Sequence, residues 1–205
     1  PRALSAATTI ALDDEEQADF HRDLGYALRT QLSRYDEARE HYTKALERYR
    51  ALHGEDATLT TDVENQLSTL AFRQGDFAAA KAINEKLLAT AEAKDGPDDP
   101  TVATKCTNLA KVLVKLSEFD AARAACERAL RIFALEGNDE RTHWPALADA
   151  HKTMGSLHKT NGHNDGALEH LTRALELLEK VYGSEHPKYA TVCKDVAEML
   201  CFTDD

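Results

Sequence analysis

The residues of this chain with chemical potential are nine histidines, four cysteines, several paired carboxylates and a set of regularly placed lysines. His151 and His158 lie seven residues apart, and His163 follows them. A zinc site on one helix wants two ligands four apart, or a third group converging from elsewhere. The spacing therefore predicts helix-face or packing histidines and no metal. Cys106, Cys126, Cys193 and Cys201 form no C-x-x-C pair, and each falls within a helical pattern. They read as small reduced core residues rather than as a disulfide framework. Asp13-Asp14-Glu15-Glu16 and Asp98-Asp99 stand where helices should begin, and there carboxylates accept free first-turn amides and favour the positive end of the dipole. A Gly-rich phosphate loop, a G-x-S-x-G elbow and a Cys–His couple are all missing from the sequence. The expectation is a non-enzyme with no catalytic residue, no cofactor and no metal.

The elements that carry these residues repeat. The aromatics Tyr35, Phe77 and Phe119 fall at steps of 42 residues, and the alanines Ala38, Ala80, Ala122 and Ala167 at steps of 42, 42 and 45. Seven residues after each alanine comes Ala45, Leu87, Ala129 or Ala174, each followed by leucine. A fixed period of this size carrying a helix-turn-helix pattern signals stacked helical hairpins. Leu67/Leu70, Leu109/Val112 and Met154/Leu157 form an inward stripe on the first helix of each pair. The small residues Ser68, Ala110 and Gly155 allow close helix approach. In the first repeat Leu24-Gly25 resembles this pattern but lies one residue too far from Ala38, which leaves that register open by one.

Punctuation gives the boundaries. Residues 1–13 read as a linker or the end of a preceding element, and an opening Pro1 instead of Met reads as a piece of a longer protein. Residues 14–202 read as a single repeat domain with hairpins at 14–55, 56–97, 98–142 and 143–185, a terminal helix at 186–202 and a tail at 203–205. Within it, the first pair is expected at about Asp14–Leu32 and Tyr35–Leu52. Later pairs are expected at about Leu59–Lys94, Pro100–Leu135 and Pro145–Tyr182, and the last helix at about Pro187–Phe202. Gly54, Gly75 and the run Gly96-Pro97-Asp98-Asp99-Pro100 stop and start these helices. A longer connection, Glu136 to Pro145, explains the 45-residue step and carries Trp144, expected to plug the gap between the third and fourth repeats.

Composition removes several function classes. The 205 residues carry a formal net charge of −11, which repels the phosphates of nucleic acid and of anionic membranes. No apolar run reaches the roughly 20 residues of a membrane span, and no signal peptide opens the chain. A cytoplasmic location is expected.

The repeat resembles the tetratricopeptide repeat in the long-period form typical of kinesin light chains. The resemblance rests on Thr107-Asn108-Leu109-Ala110, Gln74-Gly75-Asp76-Phe77, Tyr35-Asp36-Glu37-Ala38 and Arg128-Ala129-Leu130-Arg131-Ile132. It continues in Gly96-Pro97-Asp98-Asp99-Pro100-Thr101-Val102-Ala103 and in Gly183-Ser184-Glu185-His186-Pro187-Lys188-Tyr189-Ala190. Asn164 replaces the turn aromatic in the fourth repeat, and the family's paired asparagines are single here, Asn65 and Asn108. The resemblance implies an all-α, right-handed α-solenoid whose first helices line a concave groove. It implies a scaffold that holds a partner or cargo segment, of the kinesin and cargo adaptor kind.

On that groove the outward stripe places Arg73, Lys111, Lys115, Lys152, Lys159 and Lys194 in one lane. Two readings stand: a solvated helix face, or a basic groove for an acidic peptide of a protein partner. In the second, Asn65 and Asn108 clamp the ligand backbone, the cations steer its carboxylates, and Phe72 and Val114 supply apolar contact. The alternative role is a structural or self-assembling segment of a larger cytoskeletal or signalling protein, a homo-oligomer formed through its terminal helices, because the last helix lacks a partner helix.

Overall fold

The computed structural model describes residues 13–135 and 140–201. Among these residues the chain forms nine helices and no strand: α1 (Asp14–Thr30), α2 (Tyr35–His53), α3 (Thr58–Gln74), α4 (Phe77–Asp95), α5 (Pro100–Lys115), α6 (Phe119–Phe133), α7 (Glu140–Thr160), α8 (Asn164–Tyr182) and α9 (Pro187–Cys201). Contacts divide the chain into two compact units, Pro1–Ile83 and Asn84–Asp205.

In the first unit α1 and α2 form a hairpin, and α3 packs on α2. The start of α1 is fixed by a reciprocal cap. Asp13 Oδ1 accepts from the Glu16 amide at 2.7 Å, and Glu16 Oε2 accepts from the Asp13 amide at 3.0 Å, satisfying two donors that the first turn leaves free. The core is Ala18 and Leu28 from α1, Ala38, Tyr42, Ala45, Leu46 and Tyr49 from α2, and Val63 and Leu70 from α3. Leu24, Leu67 and the turn aromatic Tyr35 pack on its edge.

The second unit holds the α5/α6 and α7/α8 hairpins and α9. One core cluster joins Val102, Ala103 and Cys106 to Ala129, Ile132, Phe133, Leu147, Leu171, Leu177, Val192 and Met199. A second joins Leu109, Ala110 and Leu113 to Ala122, Cys126, Met154 and Leu157. Of the expected inward stripe, Leu70, Leu109, Val112, Met154 and Leu157 are buried and Leu67 is partly buried at the core's edge; each fully buried leucine contributes about 1.5–3 kcal/mol of transfer free energy. Cys106 and Cys126 are buried free thiols, with Cys126 pushed up to about 12 by burial, whereas Cys193 is only partly buried and Cys201 is exposed on the last helix, so the core reading holds for two of the four. Trp144, on α7, is half-buried against the first of these clusters, with the Lys180 ammonium of α8 over its ring.

The hairpin turns use one recurrent backbone state. Ser33, Gly75, Ser117 and Gly162 all have positive φ, at 51°, 80°, 61° and 72°, and each lies five residues before its turn alanine. In three turns the residue directly after this position donates its amide to a carbonyl five residues back: Asp76 to Ala71, Glu118 to Leu113, His163 to His158. In the first turn Arg34 reaches six back, to Leu28, at 3.0 Å. That single extra residue settles the first repeat's register. Gly25 occupies the close-approach position against Tyr42, as Gly155 does against Leu171.

Boundaries differ in places. The first helix stops at Thr30, short of Leu32. The fourth pair begins at Glu140 instead of Pro145, which lies inside α7. There Pro145 removes one of the earliest ladder bonds, near a terminus whose first amides are unpaired in any helix. The rest of the long connection, residues 136–139, and the last expected helical residue, Phe202, lie outside the described residues.

Candidate functional site

The first helices of the hairpins carry every residue expected in the lane. Asn65, Phe72 and Arg73 are on α3 in the first unit; Asn108, Lys111 and Lys115 are on α5, Lys152 and Lys159 on α7 and Lys194 on α9 in the second.

Within the second unit the lysines are joined into a ladder by carboxylates of the next first helix. Lys111 Nζ lies 2.6 Å from Asp149 Oδ2, bridging α5 to α7. Lys152 Nζ lies 3.8 Å from Asp195 Oδ2 and Lys159 Nζ 2.8 Å from Glu198 Oε2, both bridging α7 to α9. Lys194 Nζ lies 3.8 Å from the other oxygen of Glu198, one turn along α9. The hydrogen bond from Lys159 holds the Glu198 carboxyl below the usual range. The face is thus charge-compensated rather than a bare basic strip. The Lys111–Asp149 and Lys152–Asp195 pairs, with side chains about a third accessible, are worth only about 0.2–1 kcal/mol each. An incoming carboxylate can exchange with them at small cost. Lys115 stands exposed at the end of α5, and Asn108 is half-buried on it.

The α3 residues are engaged locally. Asn65 Nδ2 donates to the Thr61 carbonyl at 2.8 Å, and the Phe72 ring packs edge-on against Phe77 with centroids 5.3 Å apart. Phe72 is therefore half-buried against the turn aromatic, and Arg73 is exposed.

One feature of the hairpins was missed by spacing along a single helix. Histidines pair across two of them: His21 with His41 at 2.8 Å and His151 with His170 at 2.9 Å, each contact between Nδ1 atoms. His41 and His170 both lie three residues after a turn alanine, and that shared position was the legible signal. Among the described residues no group of three or more His, Cys, Asp or Glu is arranged to hold a metal ion, and no helix is long and apolar enough to cross a membrane.

Antiparallel helical hairpins packed on their neighbours, with a polar face on the first helices, define a helical-repeat interaction protein. Profiles of the tetratricopeptide repeat match residues 16–93 and, in two blocks, residues 102–133 and 153–188. The chain belongs to the tetratricopeptide repeat family. It is 38% identical over 79 residues to Protein KINESIN LIGHT CHAIN-RELATED 3 of Arabidopsis thaliana, a match covering 38% of this chain and 12% of that protein. Among solved structures it resembles BtubC (BKLC) from P. vanneervenii, with a TM-score of 0.67 and 23% identity over 91% of this chain and 72% of that one. It also resembles aspartyl phosphate phosphatase F from Bacillus subtilis, with a TM-score of 0.68 and 18% identity over 83% of this chain and 42% of that one. These two likenesses establish the all-α repeat fold and leave function to the chain's own residues.

Proposed function

We propose that the chain is a protein-interaction scaffold that holds an acidic segment of a partner or cargo protein on the α5–α7–α9 face. The observation that carries this reading is the lysine ladder: Lys111, Lys152, Lys159 and Lys194, with exposed Lys115 beside them, line one face through exchangeable ion pairs. Asn108 on the same face supplies an amide to the ligand backbone. Asn65, Phe72 and Arg73 form a separate strip on α3 with the same polar and apolar roles. The role is of the adaptor kind and the setting the cytoplasm, in keeping with the similarity to a kinesin light chain-related protein. Neither nucleic acid nor membrane is a partner of so acidic a chain.

A labelled poly-glutamate peptide, titrated against the protein with poly-lysine as control, tests the reading. Poly-glutamate is expected to bind at low ionic strength and to be released by about 0.5 M salt, where screening is short-ranged. Lys111→Glu with Lys152→Glu is expected to weaken binding about tenfold, the equivalent of 1.4 kcal/mol. Equal binding by the double variant and the native chain, or a preference for poly-lysine, overturns it.

A second reading is self-association through α9. Leu200 is 47% exposed on that helix, and an uncovered apolar side invites another chain. Sedimentation at low and high protein concentration separates the two: a monomer throughout removes self-association.

A further inference from the structure

The α7/α8 hairpin carries a histidine cluster that the binding face does not use. His151 on α7 and His170 on α8 meet through Nδ1 atoms 2.9 Å apart. A contact of that length is a hydrogen bond only when one ring offers a proton and the other a lone pair. His158, two turns along α7, stacks on His170 with centroids 5.3 Å apart and 18° between planes. His163, at the start of α8, lies 6.0 Å from His158. The Nδ1 of His158 is buried without a hydrogen-bond partner. It presses on α8 at Gly166, where an added Cβ would stand 2.9 Å away.

We propose that this cluster is a proton-sensitive latch, holding α7 on α8 while its rings are neutral and loosening that hairpin on acidification. The donor ring of the His151–His170 pair can take one extra proton on its Nε2 and keep the bond. A second proton consumes the remaining lone pair and leaves two N–H groups facing each other, both rings charged. A charge on His158, stacked on His170, adds to the repulsion. The surrounding charges lean the same way. Arg173 of α8 acts on His151 and Arg123 of α6 on His158, each disfavouring the proton, while Glu169 of α8 opposes them at His158 and His170. Asp165 and Glu176, with His151 and His170, line an open cleft of about 690 Å³ on this side of α8.

Burial is the main cause of the shifts: it pushes His151 down to about 4 and lowers His158 and His170 as well. A base whose folded pKa lies below its unfolded value binds fewer protons when folded. Its contribution to stability is complete above the unfolded value of about 6.5 and is lost as the pH falls from there towards 4. Lys152 and Lys159 follow His151 and His158 directly in sequence, so movement of α7 displaces the binding-face lysines too. The latch itself stands whether or not that face binds an acidic segment.

The test follows thermal and denaturant unfolding through Trp144, which lies on α7 under Lys180 of α8 with the ammonium 5.6 Å from the ring centre. Native protein is compared with His151→Asn/His170→Asn, in which side-chain amides replace the Nδ1 contact without titrating. His21→Asn/His41→Asn serves as the comparison in the other unit. Between about pH 7.5 and pH 5 the native folding constant should fall about tenfold more than that of the His151/His170 variant. A parallel fall in both overturns the proposal. The histidine Cε1–H resonances of the native protein give an answer that needs no variant. Either ring of the His151–His170 pair titrating below about 5 supports the latch, and both titrating near 6.5 overturns it.

Discussion

Single side chains set how tightly each hairpin can close. A Cβ added at Gly155 would meet Leu171 Cγ at 2.8 Å and the Ala167 carbonyl oxygen at 3.2 Å; at Gly25 it would meet the Tyr42 ring at 2.9 Å. Tyr42 and Leu171 are fully buried, so neither can swing away. Gly155→Ala trades a helix-propensity gain of about 1 kcal/mol against an overpacking cost of about 1–3 kcal/mol. A net loss of up to about 2 kcal/mol is expected, read as a lower urea midpoint with an unchanged slope. Gly25→Ala should behave alike. These small positions were legible because the leucine–small pair recurs with the turn alanine in the sequence. The partners of the lane lysines were not. Asp149, Asp195 and Glu198 lie on the next first helix, at places that differ from one repeat to the next, and periodicity cannot say which rotamer a lysine takes. The His21–His41 and His151–His170 contacts escaped for the same reason, since spacing along one helix reports nothing of the facing helix.

At the scale of helices and turns, most of the pattern was legible, because hydrophobic period and turn residues point to the same hairpins. What escaped was local. The start of α7 was obscured by Pro145, which reads as a first helical residue yet sits within the helix. The register of α1 was ambiguous until the six-residue closure from Arg34 to Leu28 was seen. The recurrent turn state also makes a prediction. Where Gly75 and Gly162 fill the left-handed position, Ser33 and Ser117 hold it with a Cβ. That conformation costs a side-chain-bearing residue about 1–2 kcal/mol, partly offset by the extra unfolded-state freedom of glycine. Ser117→Gly is therefore expected to stabilise the protein by about 0.5–1 kcal/mol, measured as a raised melting temperature, and Ser33→Gly likewise. A fall in melting temperature would show that the serine side chains supply more than they cost.

At the scale of the molecule, backbone and side chains follow different rules. The hairpins recur with nearly constant turns and nearly constant buried positions, so any one looks exchangeable for another. The bridges from Lys111 to Asp149, Lys152 to Asp195 and Lys159 to Glu198 do not recur at equivalent places. Excising the α7–α8 hairpin would bring Thr191 to the place of Asp149 opposite Lys111, leave Asp195 without Lys152, and leave Glu198 with Lys194 of its own helix in place of Lys159. Such a shortened chain should still fold as helices by circular dichroism, but melt lower than the loss of hairpin contacts alone would require. Swapping hairpins between positions should do the same. The ladder thus acts as an address: it lets only one succession of otherwise similar modules bring every charge to its counterpart.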